Sequence, residues 1–581
     1  MKMSIKNEFS FIFPAPKDIR PLDHFLEIQN LCFPLEITKK YDFLFDYFGV
    51  KNKNRGLEIV CQEKKTLRAE EYEIECGRNR IILWANSPRG QFYALSTLLQ
   101  ILAFSVKDGR MPGFFIRDAP DLSFRGFLLD AAHGAFPLLP ELKRLLVKLA
   151  LLRFNHFSIS MGNPGNPGAE KGRALDEIGQ IAVLAGKMGM EMFPAITIGS
   201  EFPQFVKTVR AAEWNAAIMA SFRSPWILIE CGGKDETTSP AMDFARFSDA
   251  YRFFKALGKK VLVGADGFRA TPERIRKIPQ DVSVLNRGPA IEKSDAFKQK
   301  AAPFKKHHIP QVLGTATWSG DRFIPAMRKS MVNNAAAYTA AREEKLAGVM
   351  LAGGAEKGDG GFLEGIVLPL FHAGNLFWSG RAPRPDAFAR WALGHDEPDL
   401  FRICTFLSQV DNPWQWTHRQ YLFEDPLFAI FSRQDNHREI VSKYQKASLY
   451  LKKRKIARNE MSDFFNFAQH LYEFVAAKIE FSNRLLPRLD AAAGDETIRL
   501  DLDRLLAEVE KLKNLYINLW LGRCQPEGLA KQIREFALLQ ERFRYLQQAS
   551  AHPAARKNLL LEFDHYSPAD GLAAMKGRDI F

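Results

Sequence analysis

Two adjacent carboxylates, Asp235 and Glu236, follow the glycine pair Gly232-Gly233 at the end of an apolar run that starts at Trp226. Residues 226–229 read as a buried strand, and a glycine pair lets the backbone leave a strand through conformations other residues avoid. Carboxylates at such a point can project into a pocket, where the chemistry open to them is acid/base work and the binding of hydroxyl groups. Gly-Lys-Asp-Glu is also ordinary turn material. The pair therefore takes its meaning from the elements that carry it.

Those elements form a repeat. Apolar, strand-like runs recur at 124–132, 156–161, 191–199, 226–232, 260–266, 282–287, 311–318 and 347–353. Amphipathic, helix-length stretches such as 141–151 and 243–257 lie between them. Eight strand-helix repeats over about 250 residues predict a TIM (β/α)8 barrel. The runs are continuous rather than alternating, as parallel strands covered on both faces require. An open doubly wound sheet is the second reading, and no early strand carries the G-x-G-x-x-G turn that would favour it.

The flanks differ in kind. Residues 1–118 predict an N-terminal α/β accessory domain, with a hairpin around Gly77-Arg78-Asn79 and a helix from Gln91 to about Phe104. The barrel is expected over 119–380. Beyond it, 381–581 predicts a C-terminal all-α domain. Its clearest helix face runs through Leu502, Leu505, Leu506, Val509, Leu512, Tyr516, Leu519 and Trp520. Gln525-Pro526-Glu527-Gly528 ends that helix and a second runs from about 530 to 548. Packing within the chain is the expected use of this face, and a homodimer through it stays open.

Composition narrows the classes. The chain has 581 residues, 46% apolar and 25% charged, with a net charge of +14. That is the profile of a globular protein of several domains. Lys and Arg are spread along the chain with no nucleic-acid motif, so a solvated basic surface is expected in place of nucleic-acid binding. No apolar run reaches the length of a membrane span. None of the six cysteines stands in C-x-x-C spacing, so neither a metal site nor a cofactor is implied. Scattered thiols and an N-terminus without the apolar core of a signal peptide predict a cytoplasmic location.

Barrel chemistry lies at the C-terminal ends of the strands. Read in order, those ends offer Asp130 and His133, then Asn163, then Glu201, then Asp235 and Glu236, then Asp266, then Asn286 and Arg287, then Trp318, and last Glu356 and Asp359. A carboxylate-rich pocket with a Trp suits carbohydrate, because an indole can stack on a sugar face.

At this point the chain resembles glycoside hydrolase family 20, the β-N-acetylhexosaminidases, and in particular their cytosolic-type exo-acting branch. Gly90 to Gln100 resembles the helix of the family's accessory domain. Asp118-Ala-Pro with Phe124-Arg-Gly-Phe-Leu-Leu-Asp130 resembles the approach to its first barrel strand. Gly233-Lys-Asp-Glu236 matches its Gly-x-Asp-Glu signature, and Leu368-Pro369 with Trp378 resembles its closing helix. In the tail, Phe423 to Leu427 and Gln525 to Gly528 look like segments of the same branch. The resemblance implies substrate-assisted retaining hydrolysis, in which the substrate's own 2-acetamido oxygen is the nucleophile. Asp235 would orient and stabilise that group, and Glu236 would protonate the leaving oxygen and then activate water. Asp130, His133, Asn163, Asp266, Arg287, Trp318 and Glu356 are the expected substrate-binding residues.

The departures from the family pattern are local. His133 stands where an Arg is usual, Gly199-Ser200 where a Gly-His step is usual, and Leu285-Asn286-Arg287 where the sixth strand supplies a Tyr. Leu351 or Ala352 replaces the Trp of the eighth strand, and the fifth keeps Asp266 but lacks a Trp. Three outcomes follow: an active hexosaminidase, a glycosidase shifted by Arg287 and His133 towards an anionic sugar, or a weak or inactive relative that binds glycan or serves as a scaffold.

Overall fold

Six short strands rich in Ile, Leu and aromatic residues build the first sheet. They are β1 (Asp18–Glu27), β2 (Leu31–Cys32), β3 (Leu57–Glu63), β4 (Tyr72–Cys76), β5 (Arg80–Ala85) and β6 (Arg110–Asp118), in the order β1-β6-β4-β5-β3-β2. The computed structural model describes residues 9–564 apart from 107, 132–135, 162–170, 199–208, 232–239, 266–267, 269–271, 321, 355–360, 383, 411–416, 435, 455–458 and 491–495. β4 and β5 form the hairpin expected from the Gly77-Arg78-Asn79 turn, with Cys76 opposite Ile81. The helix behind them, Pro88–Ser105, starts three residues earlier than expected. Proline has no N–H to leave unpaired in a first helical turn, and the Ser87 hydroxyl caps the helix by accepting from the Gly90 N–H at 3.0 Å.

Eight further strands close a parallel barrel: β7 (Phe124–Asp130), β8 (His156–Ser160), β9 (Glu191–Ile198), β10 (Trp226–Cys231), β11 (Lys260–Gly264), β12 (Ser283–Arg287), β13 (Gln311–Ala316) and β14 (Gly348–Gly354). β14 pairs with β7 from Gly348 opposite Phe124 to Gly354 opposite Asp130. That closure excludes the open sheet. Residues on alternate positions fill the interior, which holds Phe124, Leu128, Phe193, Ala195, Leu228, Leu262, Leu285, Val312 and Met350. The intervening residues, such as Ile227, Ile229, Val261, Val263 and Val284, pack outward. Both faces are thus apolar, which is why the runs do not alternate in sequence. At the N-terminal end His156 stacks on Phe124 at 3.9 Å between ring centres, and Phe193 and Trp226 meet its edge. The barrel is a filled core here, and its free end is the C-terminal one.

Helices make up the described remainder, the longest being Ser462–Asp490, Glu496–Leu521 and Leu529–Ser550. On the second of these, Leu502, Leu505, Val509, Leu512, Tyr516, Leu519 and Trp520 are all buried and Leu506 is half-buried. The apolar face seen in the sequence is therefore covered by the chain's own neighbouring helices.

Buried polar groups join the first sheet to the barrel. Asp118 ends β6 and accepts from Trp378 Nε1 at 2.8 Å, from the Tyr72 hydroxyl at 3.1 Å and from the Lys17 and Ala119 N–H groups. Burial pushes its carboxyl above the usual range against the pull of these donors. Arg125, the outward-facing second residue of β7, reaches Glu70 at 2.8 Å and donates from Nε to the Arg153 carbonyl. Arg153 itself lies 4.8 Å over the Tyr93 ring. These residues stand at or just before the starts of the barrel strands. The accessory sheet thus holds the base of the barrel and leaves the opposite mouth clear.

Candidate active site

Side chains of a strand alternate between faces, so the interior positions identify what lines the mouth. Continuing from Leu128, Ser158, Ala195, Leu228, Leu285 and Met350 by two residues gives Asp130, Ser160, Thr197, Glu230, Arg287 and Ala352. All six are half-buried, as residues at the rim of a filled barrel should be. The same rule decides two points that the sequence alone leaves unsettled. Ala352, and not Leu351, is the inward residue of β14. Asn286 faces away from the mouth, where its Nδ2 donates to the Lys300 carbonyl at 3.0 Å.

The centre of this rim is an ion pair between Glu230 on β10 and Arg287 on β12. β11 runs between the two strands. The pair can cross it because the inward residue there is Gly264, where a Cβ would stand 3.0 Å from Glu230 Oε2. On the far side Gly314 of β13 makes the same allowance, since a Cβ there would stand 2.9 Å from Arg287 Cγ. Two glycines in one layer thus admit one charged pair. Arg287 is not a free anion receptor, because Glu230 balances its charge. The pairing weighs against Arg287 as the group that shifts specificity towards an anionic sugar.

Trp318 lies just beyond β13 with a positive φ of 56°, half-buried. Its Nε1 donates to the Pro289 carbonyl at 2.9 Å, so it bridges the turns after β12 and β13. The Lys329 ammonium sits 3.5 Å from its ring centre and covers one face. Burial draws the Lys329 pKa down. Asn333, fully buried, fastens the same two turns: its Nδ2 donates to the Gly288 and Ile291 carbonyls at 2.7 and 2.6 Å, and its Oδ1 accepts from the Ala316 N–H.

Of the residues singled out in the sequence, the structure brings Asp130, Arg287 and Trp318 to this end of the barrel. His133, Asn163, Asp235, Glu236, Asp266 and Glu356 lie outside the described residues, in segments that directly follow β7, β8, β10, β11 and β14 in the chain. Glu230 was missed. Its signal was available: it stands two residues beyond inward-facing Leu228, on the strand that leads to Asp235. Among the described residues no cluster of His, Cys, Asp and Glu is arranged to hold a metal ion, and no helix is long and apolar enough to cross a membrane. A cleft of about 590 Å³ lined by Glu70, Arg89, Gly189, Glu191 and Ser224 lies at the other end, where the strands begin. The inward carboxylates and the arginine stand at the opposite end, at the mouth.

The ion pair makes a quantitative expectation. Glu230→Gln and Arg287→Met each remove the ion pair and keep its other member half-buried at the rim, whereas the double variant removes both. A double-mutant cycle in urea should return a coupling of about 1 kcal/mol or more. Additive effects would show that the pair does not act as a unit.

Comparisons with known proteins bear on the whole chain. The model of glycosyl hydrolase family 20, domain 2, matches residues 37–119. A β-hexosaminidase of Vibrio furnissii is 36% identical over 155 residues, which is 25% of this chain and 25% of that protein. The matched stretch thus spans a quarter of that relative's length. Among solved structures, the GH20 β-N-acetylhexosaminidase from Streptomyces coelicolor A3(2) superposes with a TM-score of 0.50 at 15% identity, covering 69% of this chain and 95% of that one. The structure described as CpGH84D superposes with a TM-score of 0.51 at 11% identity, covering 92% of this chain and 99% of that one. At these identities the structural likenesses speak for the fold, and the second extends it over nearly the full length.

Proposed function

We propose, from the assignment to glycoside hydrolase family 20 that these findings support, that the chain is a retaining exo-glycosidase acting on terminal β-linked N-acetylhexosamine. The observation that carries this reading is the Gly233-Lys-Asp-Glu236 signature, in the segment that directly follows the fourth strand of a closed eight-stranded barrel. The Vibrio furnissii relative, a β-hexosaminidase, points the same way.

The reaction runs in two steps. First the 2-acetamido oxygen of the substrate attacks C1 while Glu236 gives its proton to the departing glycosidic oxygen. Asp235 accepts from the acetamido N–H and balances the positive charge that develops on that group. Then Glu236, now ionised, takes a proton from water as the water attacks C1 and the ring formed by the acetamido group reopens. Two inversions at C1 give net retention. Asp235 has to stay ionised and Glu236 has to carry a proton near neutrality. A like charge next door favours that division, because two adjacent carboxylates resist joint ionisation. In this reading the face of Trp318 opposite Lys329 supports a sugar ring, and Asp130 accepts from its hydroxyls. The Glu230–Arg287 pair argues against the anionic-sugar alternative.

The test is a set of aryl glycosides with and without the acetamido group. β-GlcNAc or β-GalNAc should turn over, and the β-glucoside should be slower by about 10³-fold or more. The acetamido group is the nucleophile, and an intramolecular nucleophile is worth a large effective molarity. Comparable rates on the β-glucoside would sink the substrate-assisted mechanism. Absence of turnover on either N-acetyl sugar would sink the activity.

A further inference from the structure

The helical C-terminal region holds both of the last two mouth segments, and one polar side chain is the key to that hold. The turn after β13 sends Phe323 into the helical region, where its ring lies 5.6 Å from Phe467 and 5.4 Å from Tyr516. The segment after β14 sends Phe362 to the same two rings, at 6.1 and 5.4 Å. Phe323 and Phe362 are both buried. The two segments also touch one another, since a Cβ on Gly361 would stand 3.4 Å from the Arg322 carbonyl oxygen.

His418 fixes the backbone at this point. It is fully buried on the helix His418–Phe423, which a capping box between Thr417 and Gln420 starts firmly. Its Nε2 accepts from the Phe323 N–H at 2.9 Å and lies 3.3 Å from the Ile324 nitrogen. An accepting Nε2 carries no proton, so the ring is held as the tautomer protonated on Nδ1. Arg419, the next residue, lays its guanidinium 5.2 Å over the Phe323 ring and donates to Gln532 at 3.0 Å. The consequence reaches the mouth through a short path. The Ala326 N–H donates to the Trp318 carbonyl at 3.0 Å and closes the turn on itself. Phe323 and Ile324 lie inside that closed turn, so whatever fixes them fixes Trp318.

We propose that the helical region is a positioning frame for the sugar-binding side of the mouth, and that His418 is a positioning residue acting on Trp318 through the Phe323–Ile324 backbone. The kinetic part of this inference rests on the glycosidase reading above, with Trp318 as the surface under the sugar ring. The mechanical part does not.

The experiment compares full-length wild type with His418→Leu, His418→Gln and Phe323→Leu. Gln can set its side-chain oxygen near the Nε2 position and accept the same N–H groups, whereas Leu fills the space and accepts nothing. In His418→Leu, hydrogen exchange in peptides over 317–326 and 361–366 should accelerate by about tenfold or more, with the β7–β12 peptides unchanged. KM for an aryl β-GlcNAc should rise by about tenfold, with kcat changed far less, because a displaced binding face weakens substrate and transition state alike. His418→Gln should recover both readings. If His418→Leu does not fold, Phe323→Leu, which keeps an apolar group in the aromatic nest, should show the same pattern in smaller degree. A folded His418→Leu or Phe323→Leu with wild-type exchange in both segments overturns the proposal, and so does wild-type KM in an active enzyme. If wild type turns over neither N-acetyl sugar, the functional reading fails by itself, and the exchange pattern still upholds or overturns the mechanical link.

Discussion

Glu236→Gln is expected to lower kcat on an N-acetylhexosaminide by about 10²–10⁴-fold, the range that a positioned general acid contributes. The size should depend on the leaving group in a way that identifies the role. An alkyl or sugar alcohol leaves as a strong base and needs the proton of Glu236, so the loss there should be near the top of the range. A nitrophenolate leaves without help, so the first step should be spared. What remains is the loss of the base that activates water in the second step. The ratio of alkyl to nitrophenyl rates should therefore collapse in the variant. Asp235→Asn should behave differently. It keeps the size of the side chain but not its charge, so it should slow every N-acetyl substrate whatever its leaving group. Parallel losses across leaving groups in Glu236→Gln would remove the acid role from that residue. The readout is kcat over a series of leaving groups, with protein folding checked by circular dichroism.

Much of the barrel was legible in the sequence because its signal is local. Each of the eight apolar runs became a strand within a residue or two of its expected start, since continuous burial on both faces leaves a mark that needs no knowledge of the partner strands. The helix face from Leu502 to Trp520 was legible for the same reason. What pairs across the fold was not. Arg125 reads in sequence as part of the run leading into the first barrel strand, and its partner Glu70 lies 55 residues earlier, in the turn before β4 of the accessory domain. Arg287 reads as a charge at a strand end, and its partner Glu230 is 57 residues away across a strand whose glycine makes the contact feasible. His418 gives no sign of its role, because what it accepts is backbone N–H, and backbone carries no sequence. The candidate site divides along the same line. Asp130, Arg287 and Trp318 were reached by counting to the ends of strands, whereas Glu230 required the inward face of its strand and Asn333, on the helix Met327–Glu343, bonds backbone groups that carry no sequence.

Glu70→Gln is expected to destabilise the protein by about 3 kcal/mol at pH 7, and the loss should fade in acid. Arg125 is 1% exposed and Glu70 is 12% exposed, and the two are joined at 2.8 Å. Asn155 Nδ2 adds a donor to Glu70 at 3.1 Å, and Arg89 lies at 3.4 Å. Burial alone would raise the Glu70 carboxyl, but the Arg125 charge and its hydrogen bonds, helped by Arg89 and Asn155, outweigh it and hold the group down at about 2. Such a pair is weak evidence of net stability against an apolar replacement of both members. Removing one member is another matter, since it leaves a buried charge uncompensated at a cost of about 3–5 kcal/mol. The Gln amide still accepts a hydrogen bond, which sets the expectation at the lower end. The pH dependence follows from linkage. A carboxyl held below its unfolded value near 4.3 contributes stability that is fully present above that value and is lost as pH falls towards 2. In wild type this contribution of about 3 kcal/mol should drain away over that window. The variant has no group to protonate at this position. Its urea midpoint should therefore lie well below that of wild type at pH 7 and approach it as the pH is lowered through 4 and 3. Arg125→Met should show the converse. With its cation gone, the buried Glu70 is left with burial as the main influence on its carboxyl, so the variant should gain stability relative to wild type on mild acidification. A gap between Glu70→Gln and wild type that stays constant from pH 7 to pH 3 would mean that the pair does not carry the junction between the accessory sheet and the base of the barrel.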